Sequence, residues 1–222
     1  SISISSGKGA INEGMPMLTS TPLDMDEIKK KFCETIGKYE AYILLGWCAA
    51  VLFMEEVFEA YNCFPFMFVT GRRGSGKSTI AEWAMNCFGI ETGGKMASDT
   101  TPVAIQRYLS YYSSLPVFID EYRNTKQITY KNGFLRNVYN RQSAGKGMKS
   151  NFGVREGKVR GTLLVSGEET PEDNALLTRC VVINIIEKNR STNHFNWFQT
   201  HRTALSYLTY RVLKQKKAIL PL

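Results

Sequence analysis

The stretch Gly71-Arg72-Arg73-Gly74-Ser75-Gly76-Lys77-Ser78-Thr79 constrains this chain more than any other. It follows a short apolar run, Phe64 to Val69, and opens into a segment of helical character, Ile80 to Cys87. Strand, glycine turn and helix in that order are the setting in which G-x-x-x-x-G-K-S cradles a polyphosphate. Gly71, Gly74 and Gly76 let the backbone curl so that successive N–H groups point inward with no Cβ in the way. The helix that begins near Lys77 brings the positive end of its dipole to the same point. Lys77 is placed to reach β- and γ-phosphate oxygens, and the Ser78 hydroxyl to bind Mg²⁺. Arg72, Arg73, Ser75 and Thr79 complete the loop assigned to the nucleotide.

A second motif follows. Leu115-Pro116-Val117-Phe118-Ile119 ends in Asp120-Glu121, the Walker B pattern. A buried parallel strand carries this acidic pair to its C-terminal end, where open α/β sheets bind ligands. Asp120 is expected to hold Mg²⁺ through its water shell, and Glu121 to orient the attacking water as general base. Gly161 to Ser166 reads as another buried strand beside the Walker B strand, so Ser166 could help place that water. Thr170-Pro171-Glu172-Asp173 signals a helix start with proline at its first position. That helix ends in Leu176-Leu177-Thr178-Arg179, and Cys180 to Ile186 forms a fifth strand. Arg179 reads either as a surface arginine favoured by a helix C-terminus or as a finger for a neighbouring subunit's γ-phosphate.

The charge is concentrated. Between Asn124 and Gly161 stand Lys126, Lys131, Arg136, Arg141, Lys146, Lys149, Arg155, Lys158 and Arg160 against a single acid, Glu156, so this stretch carries the whole formal excess of +8. Its first half, about Thr129 to Arg141, has helical character; its second, Lys149 to Thr162, reads as two short strands turning at Arg155-Glu156-Gly157-Lys158. A basic hairpin there points to a polyanionic partner, the alternative being a solvated basic face or a subunit contact.

The flanks carry less chemistry. Residues 1–22 are rich in Ser, Gly, Thr and Pro and read as a flexible linker; that residue 1 is Ser suggests an excised or processed piece. Residues 23–62 read as a helical cover of two helices, about Asp26 to Ile36 and Tyr39 to Ala60, the second apolar nearly all round. Residues 63–187 form the nucleotide core, in which Thr101-Pro102 opens a helix to about Tyr112. After a polar connector, residues 188–222 end in a basic amphipathic helix, Trp197 to Lys217. Five cysteines with no C-x-x-C pair argue for reduced thiols in a cytoplasmic setting rather than a disulfide framework or a zinc site. The longest uncharged apolar stretch, Ala41 to Met54, is too short to span a bilayer, so no membrane partner is expected.

The order of parts resembles the AAA+ ATPases, within the wider ASCE type of P-loop NTPases. More narrowly it looks like the helicase modules of phage, plasmid and mobile-element replication proteins, related to superfamily 3 and the minichromosome-maintenance helicases. The likeness rests on Gly71 to Thr79, Val117 to Glu121, Leu163 to Glu168 and Leu176 to Arg179, and covers about Phe64 to Ile186. It implies an α/β fold: a five-stranded parallel sheet with flanking helices, an N-terminal helical segment and a basic β-hairpin insert. It also implies ATP and Mg²⁺ at the borders of a homo-oligomeric, hexameric ring, with Arg179 acting in trans. The hairpin candidate, Asn151 to Arg160, would project into the channel and grip single-stranded or forked DNA, with Lys146, Lys149, Arg155, Lys158 and Arg160 on its phosphates. One departure stands out: these helicases usually end the fourth strand in Asn, where this chain has Ser166.

Two functions of different classes follow. One is an ATP-hydrolysing DNA translocase or helicase module of a mobile-element or phage replication protein, its backbone contacts indifferent to sequence and sensitive to salt. The other is a nucleotide-dependent assembly switch or loader, which needs the P-loop and Arg179 but not the basic hairpin. A small-molecule kinase fits poorly, because Glu121 beside Asp120 favours activating water over transferring phosphate to a substrate.

Overall fold

The apolar run ahead of the glycine turn becomes β1 (Phe66–Thr70), buried at every position. The computed structural model describes residues 15–142, 146–147, 154–155, 159–186 and 191–219, with backbone alone for 146–147, 154–155 and 217. On one side of β1 lies β6 (Thr162–Gly167), paired from Met67↔Leu164 to Thr70↔Gly167, and on the other β7 (Cys180–Asn184), paired from Phe66↔Cys180 to Thr70↔Asn184. β3 (Pro116–Tyr122) flanks β6, and β2 (Lys95–Met96) flanks β3. All are parallel, in the order β2-β3-β6-β1-β7. Strands covered on both faces need unbroken apolar runs, which is why β1, β3 and β6 read as runs and not as alternations. The expected five-stranded parallel α/β sheet is therefore the one found.

Crossover helices connect the strands. α4 (Lys77–Cys87) follows β1, and α5 (Pro102–Tyr111) follows β2, its start capped by Thr101, whose hydroxyl accepts from the Ala104 N–H at 3.2 Å. After β3 come α6 (Lys126–Thr129) and α7 (Asn132–Tyr139), and α8 (Asn174–Leu177) leads into β7. The cap of α8 is Asp173, whose carboxylate accepts from the Leu176 N–H at 3.0 Å; the helix therefore starts later than Thr170-Pro171 suggests.

The flanking segments are less independent than their sequence implies. α1 (Met25–Ile36) matches its expected span, but the long second helix is broken into α2 (Lys38–Val51) and α3 (Met54–Tyr61), which meet at 88°. No proline or glycine marks the corner. The Leu52 and Phe53 N–H groups bond three residues back, to Ala49 and Ala50 carbonyls, and both side chains are buried, so packing makes the turn. Among the described residues no single helix is long and apolar enough to cross a membrane.

The C-terminal segment is likewise divided, into α9 (Thr192–Thr200), a 3₁₀ turn (Ala204–Ser206), α10 (Tyr207–Lys214) and α11 (Lys216–Ile219). α9 begins inside the expected polar connector. Between α9 and α10, Arg202 donates to the Glu91 carbonyl at 2.6 Å and Ser206 accepts from the Thr19 N–H at 3.0 Å, outside bonds that hold a corner where one helix was expected. Residues 15–22 are tied down as well, since the Met17 N–H donates to the Gly89 carbonyl at 2.9 Å.

The basic insert contains an antiparallel pair, β4 (Lys146–Gly147) and β5 (Val154–Arg155), in register Lys146↔Arg155 and Gly147↔Val154. Arg155, expected in a turn, is a strand residue of this pair, and the rest of the expected turn, residues 156–158, lies outside the described residues. Lys149 and Lys158 lie outside the described residues.

One aromatic stack joins the two flanks to the core. The fully buried Phe198 of α9 lies flat on Trp83 of α4, centroids 4.0 Å apart, and edge-on to Phe32 of α1 at 4.8 Å. Phe198→Ala should destabilise the fold by about 3–5 kcal/mol, read as a fall in the urea midpoint. An unchanged midpoint would mean that the three segments are not held through this ring.

Candidate nucleotide site

The turn after β1 is shaped by close approach. A Cβ on Gly71 would lie 2.5 Å from Ser75 Oγ and 2.8 Å from the Ile185 carbonyl, so no side chain fits there. Gly76 (φ 90°) is the left-handed residue from which α4 springs. The first turn of α4 has no side-chain cap and no acid, which leaves its N–H groups and dipole free for an anion. Lys77 is only 9 % exposed, and its Nζ is 3.5 Å from the Arg72 carbonyl. It has no carboxylate partner among the described residues. Arg72 and Arg73 are exposed at the mouth of the loop, and the buried Ser75 hydroxyl has no hydrogen-bond partner among the described residues.

Facing the loop is Asp120, at the end of β3. Its Oδ1 accepts from Ser78 Oγ at 3.0 Å, from the Glu121 N–H at 2.8 Å, and from Ser166 Oγ in close contact. Three donors thus converge on one oxygen. The ladder to β6 slips between Ile119 and Tyr122, and Glu121 adopts φ 58°. This bulge interrupts the pairing with β6 at the acidic pair, while Asp120 stays paired with Met96 of β2, and it leaves the Glu121 side chain exposed, a way of re-aiming side chains at strand ends. Ser166, fully buried, is brought to Asp120 by the β3–β6 pairing.

Among the described residues no three His, Cys, Asp or Glu side chains gather around one point. A divalent ion would therefore be held by Ser78 and Asp120 with phosphate and water oxygens, a donor set suited to Mg²⁺.

Beside the loop opens a cavity of about 350 Å³, lined by Ser75, Thr79 and Trp83 with Thr35 of α1 and Thr192 and Phe195 of α9. Its size and mixed lining suit the nucleoside end of a bound nucleotide. Sequence reasoning missed it, because Thr35 and Phe195 are far apart along the chain and meet only through packing. It also missed Glu82, one helical turn after Ser78. Burial first, and the charge of Asp120 second, hold the Glu82 carboxyl above its ordinary pKa, while Arg202 opposes them. The i, i+4 spacing from Ser78 was the available signal.

Other expected residues lie elsewhere. Arg179 precedes β7, where its carbonyl accepts from the Phe66 N–H at 3.0 Å. The P-loop leaves the opposite end of the adjoining strand, about 15 Å away by strand rise. Lys146 and Arg155 sit opposite each other in the β4–β5 pair. Arg160 is exposed, with its N–H bonded to the Leu109 carbonyl at 3.1 Å.

No protein-family model and no curated protein matches this sequence. Among solved structures, the chain is similar to the active helicase Cch of SCCmec type IV, with TM-score 0.53 and 16 % identity over 91 % of this chain and 40 % of that one. It is also similar to the C-terminal region of NrS-1 in its A-form apo structure, with TM-score 0.52 and 16 % identity over 88 % of this chain and 46 % of that one. The chain thus spans less than half the length of either. At such identity the likeness speaks for the fold, the α/β P-loop architecture expected from Gly71 to Thr79 and Val117 to Glu121.

Asp120→Asn should weaken binding of a nucleoside triphosphate about tenfold or more when Mg²⁺ is present. Without Mg²⁺ the affinity should be unchanged, as read by titration with a fluorescent analogue. An equal loss with and without the ion would remove Asp120 from metal binding.

Proposed function

We propose that this chain is the motor module of an ATP-hydrolysing DNA translocase or helicase of a mobile-element or phage replication protein, acting as a hexameric ring with ATP between subunits. The observation that carries the reading is the division of the site. Lys77, Ser78, Asp120 and Glu121 converge at one end of the sheet, while Arg179 stands at the other end of the strand beside the P-loop strand. One chain cannot bring that arginine to its own nucleotide, whereas a neighbouring copy can.

The site geometry and the basic insert support the following roles. The open N–H groups of the turn and Lys77 neutralise the β- and γ-phosphates. Ser78 and Asp120, the latter ordered by Ser166, would hold a Mg²⁺ ion, which would supply charge neutralisation to the triphosphate. Glu121, exposed at the bulge, orients a water in line with the γ-phosphorus and takes its proton as the new oxygen–phosphorus bond forms and the bond to the departing nucleoside diphosphate breaks. Arg179 of the neighbouring copy meets the charge that develops on the transferred phosphoryl group. Lys146, Lys149, Arg155, Lys158 and Arg160 bind the phosphates of single-stranded DNA from the basic hairpin, without reading bases.

Glu121→Gln should retain ATP and lose about 10²–10⁴ in turnover; an unchanged rate would remove Glu121 from its role. Lys77→Ala and Arg179→Ala should each be inactive alone, and mixing them should restore turnover, because some borders then hold an intact Lys77 opposite an intact Arg179. Failure of the mixture would argue against a shared site. Replacing Lys149, Arg155 and Lys158 by alanine should lower the slope of log affinity against log salt for single-stranded DNA by about 2. Undiminished affinity would favour the assembly switch instead.

A further inference from the structure

Arg179 is not extended into solvent. Its guanidinium lies over the ring of Tyr139, 5.2 Å from the centroid, and its Nη1 donates to the Ala175 carbonyl. Its Nε is buried and has no hydrogen-bond partner among the described residues. A half-buried guanidinium with its buried donor unmet is satisfied only in part, and an aromatic ring offers it attraction without a full complement of hydrogen bonds. An anion would satisfy it better.

Tyr139 is itself held from several sides. Its ring meets Phe66 of β1 edge-on at 6.0 Å, and its phenol is hydrogen-bonded to Cys63; that bond first, and burial second, push the phenol pKa up to about 12. It stands in the last turn of α7. The same helix grips the segment that carries Arg179 a second time, where Arg136 pairs with Asp173, the cap of α8.

Two residues after Tyr139 the chain turns into the basic insert. Arg141 adopts φ 55°, and its guanidinium makes a two-pronged bond to Glu55 of α3 at 2.8 and 3.0 Å while lying 4.2 Å from the Phe58 ring centroid. The Gln142 N–H donates to the Asn137 carbonyl at 2.9 Å, and β4 begins at Lys146. One turn of α7 is thus both the resting place of the arginine and the root of the hairpin.

We propose that Tyr139 is the seat of Arg179, holding the guanidinium between catalytic cycles, and that transfer of the arginine to a neighbour's nucleotide loosens the α7 turn from which the basic hairpin springs. Tyr139 is a positioning residue, since it touches Arg179 and not the nucleotide. The coupling rests on the motor reading given above, whereas the seat is a property of the folded chain alone.

The seat is tested by urea unfolding of Tyr139→Leu, Arg179→Gln and the double variant. Their losses should be non-additive, with Arg179→Gln costing less once the ring is gone; strict additivity overturns the seat. The coupling is tested by ATP turnover with and without oligo-dT. Tyr139→Leu should bind oligo-dT as the parent does but lose about fivefold of its stimulation, and Tyr139→Phe should keep it. Full stimulation in the leucine variant, or equal loss in the phenylalanine variant, overturns the coupling. Glu55→Gln leaves ring and arginine in place, frees Arg141 and should also reduce stimulation; full stimulation there overturns the coupling even if Tyr139→Leu does not fold. A parent chain that binds ATP but is not stimulated by oligo-dT removes the motor reading and the coupling together, while the unfolding cycle still decides the seat.

Discussion

The carboxylate of Asp120 is the point on which the site depends. One oxygen of that group accepts hydrogen bonds from the P-loop helix through Ser78, from β6 through Ser166 and from the backbone of Glu121. Three elements are thereby referred to a single negative charge. In a half-buried setting such charge-assisted bonds are short and directional, and they hold the end of β3 against the phosphate loop. The bulge that frees Glu121 is tolerated because the residues on either side of it are pinned: Ile119 pairs with Val165, and Tyr122 with Gly167.

A second constraint is aromatic. Phe198, stacked on Trp83 and edged by Phe32, draws the N-terminal helices and the C-terminal helix onto the same side of the P-loop helix. Trp197 reinforces the arrangement by donating to Glu27 at 2.9 Å, and His194 lies 3.3 Å from Glu34. The cavity beside the loop exists because of this closure. The flanks are therefore walls of the cavity beside the phosphate loop and not attachments to it.

The arginine follows a different logic. Parallel pairing of β1 and β7 places the P-loop and Arg179 at opposite ends of adjoining strands, so a site needing both must draw on two copies. Within one chain the guanidinium rests on Tyr139, a weaker partner for a cation than a charged acceptor would be.

Much of this was legible along the chain. The phosphate loop and the Asp120-Glu121 strand end are local patterns, in which residue type and spacing carry the chemistry, and the buried parallel strands announce themselves as apolar runs. The cap at Thr101 is local too. What could not be read were features settled by contacts between distant segments: the corner at Leu52-Phe53, the break after α9, the register of Lys146 with Arg155, and the pocket walls at Thr35 and Phe195. Sequence alone determined that the chain would carry a phosphate loop after one apolar strand and an acidic pair at the end of another, because those motifs depend on neighbours a few residues away. Tertiary structure alone decided where the helices bend, what closes the cavity and where Arg179 rests, because burial of Leu52, Phe53 and Phe198 and the ring of Tyr139 act across long intervals of chain.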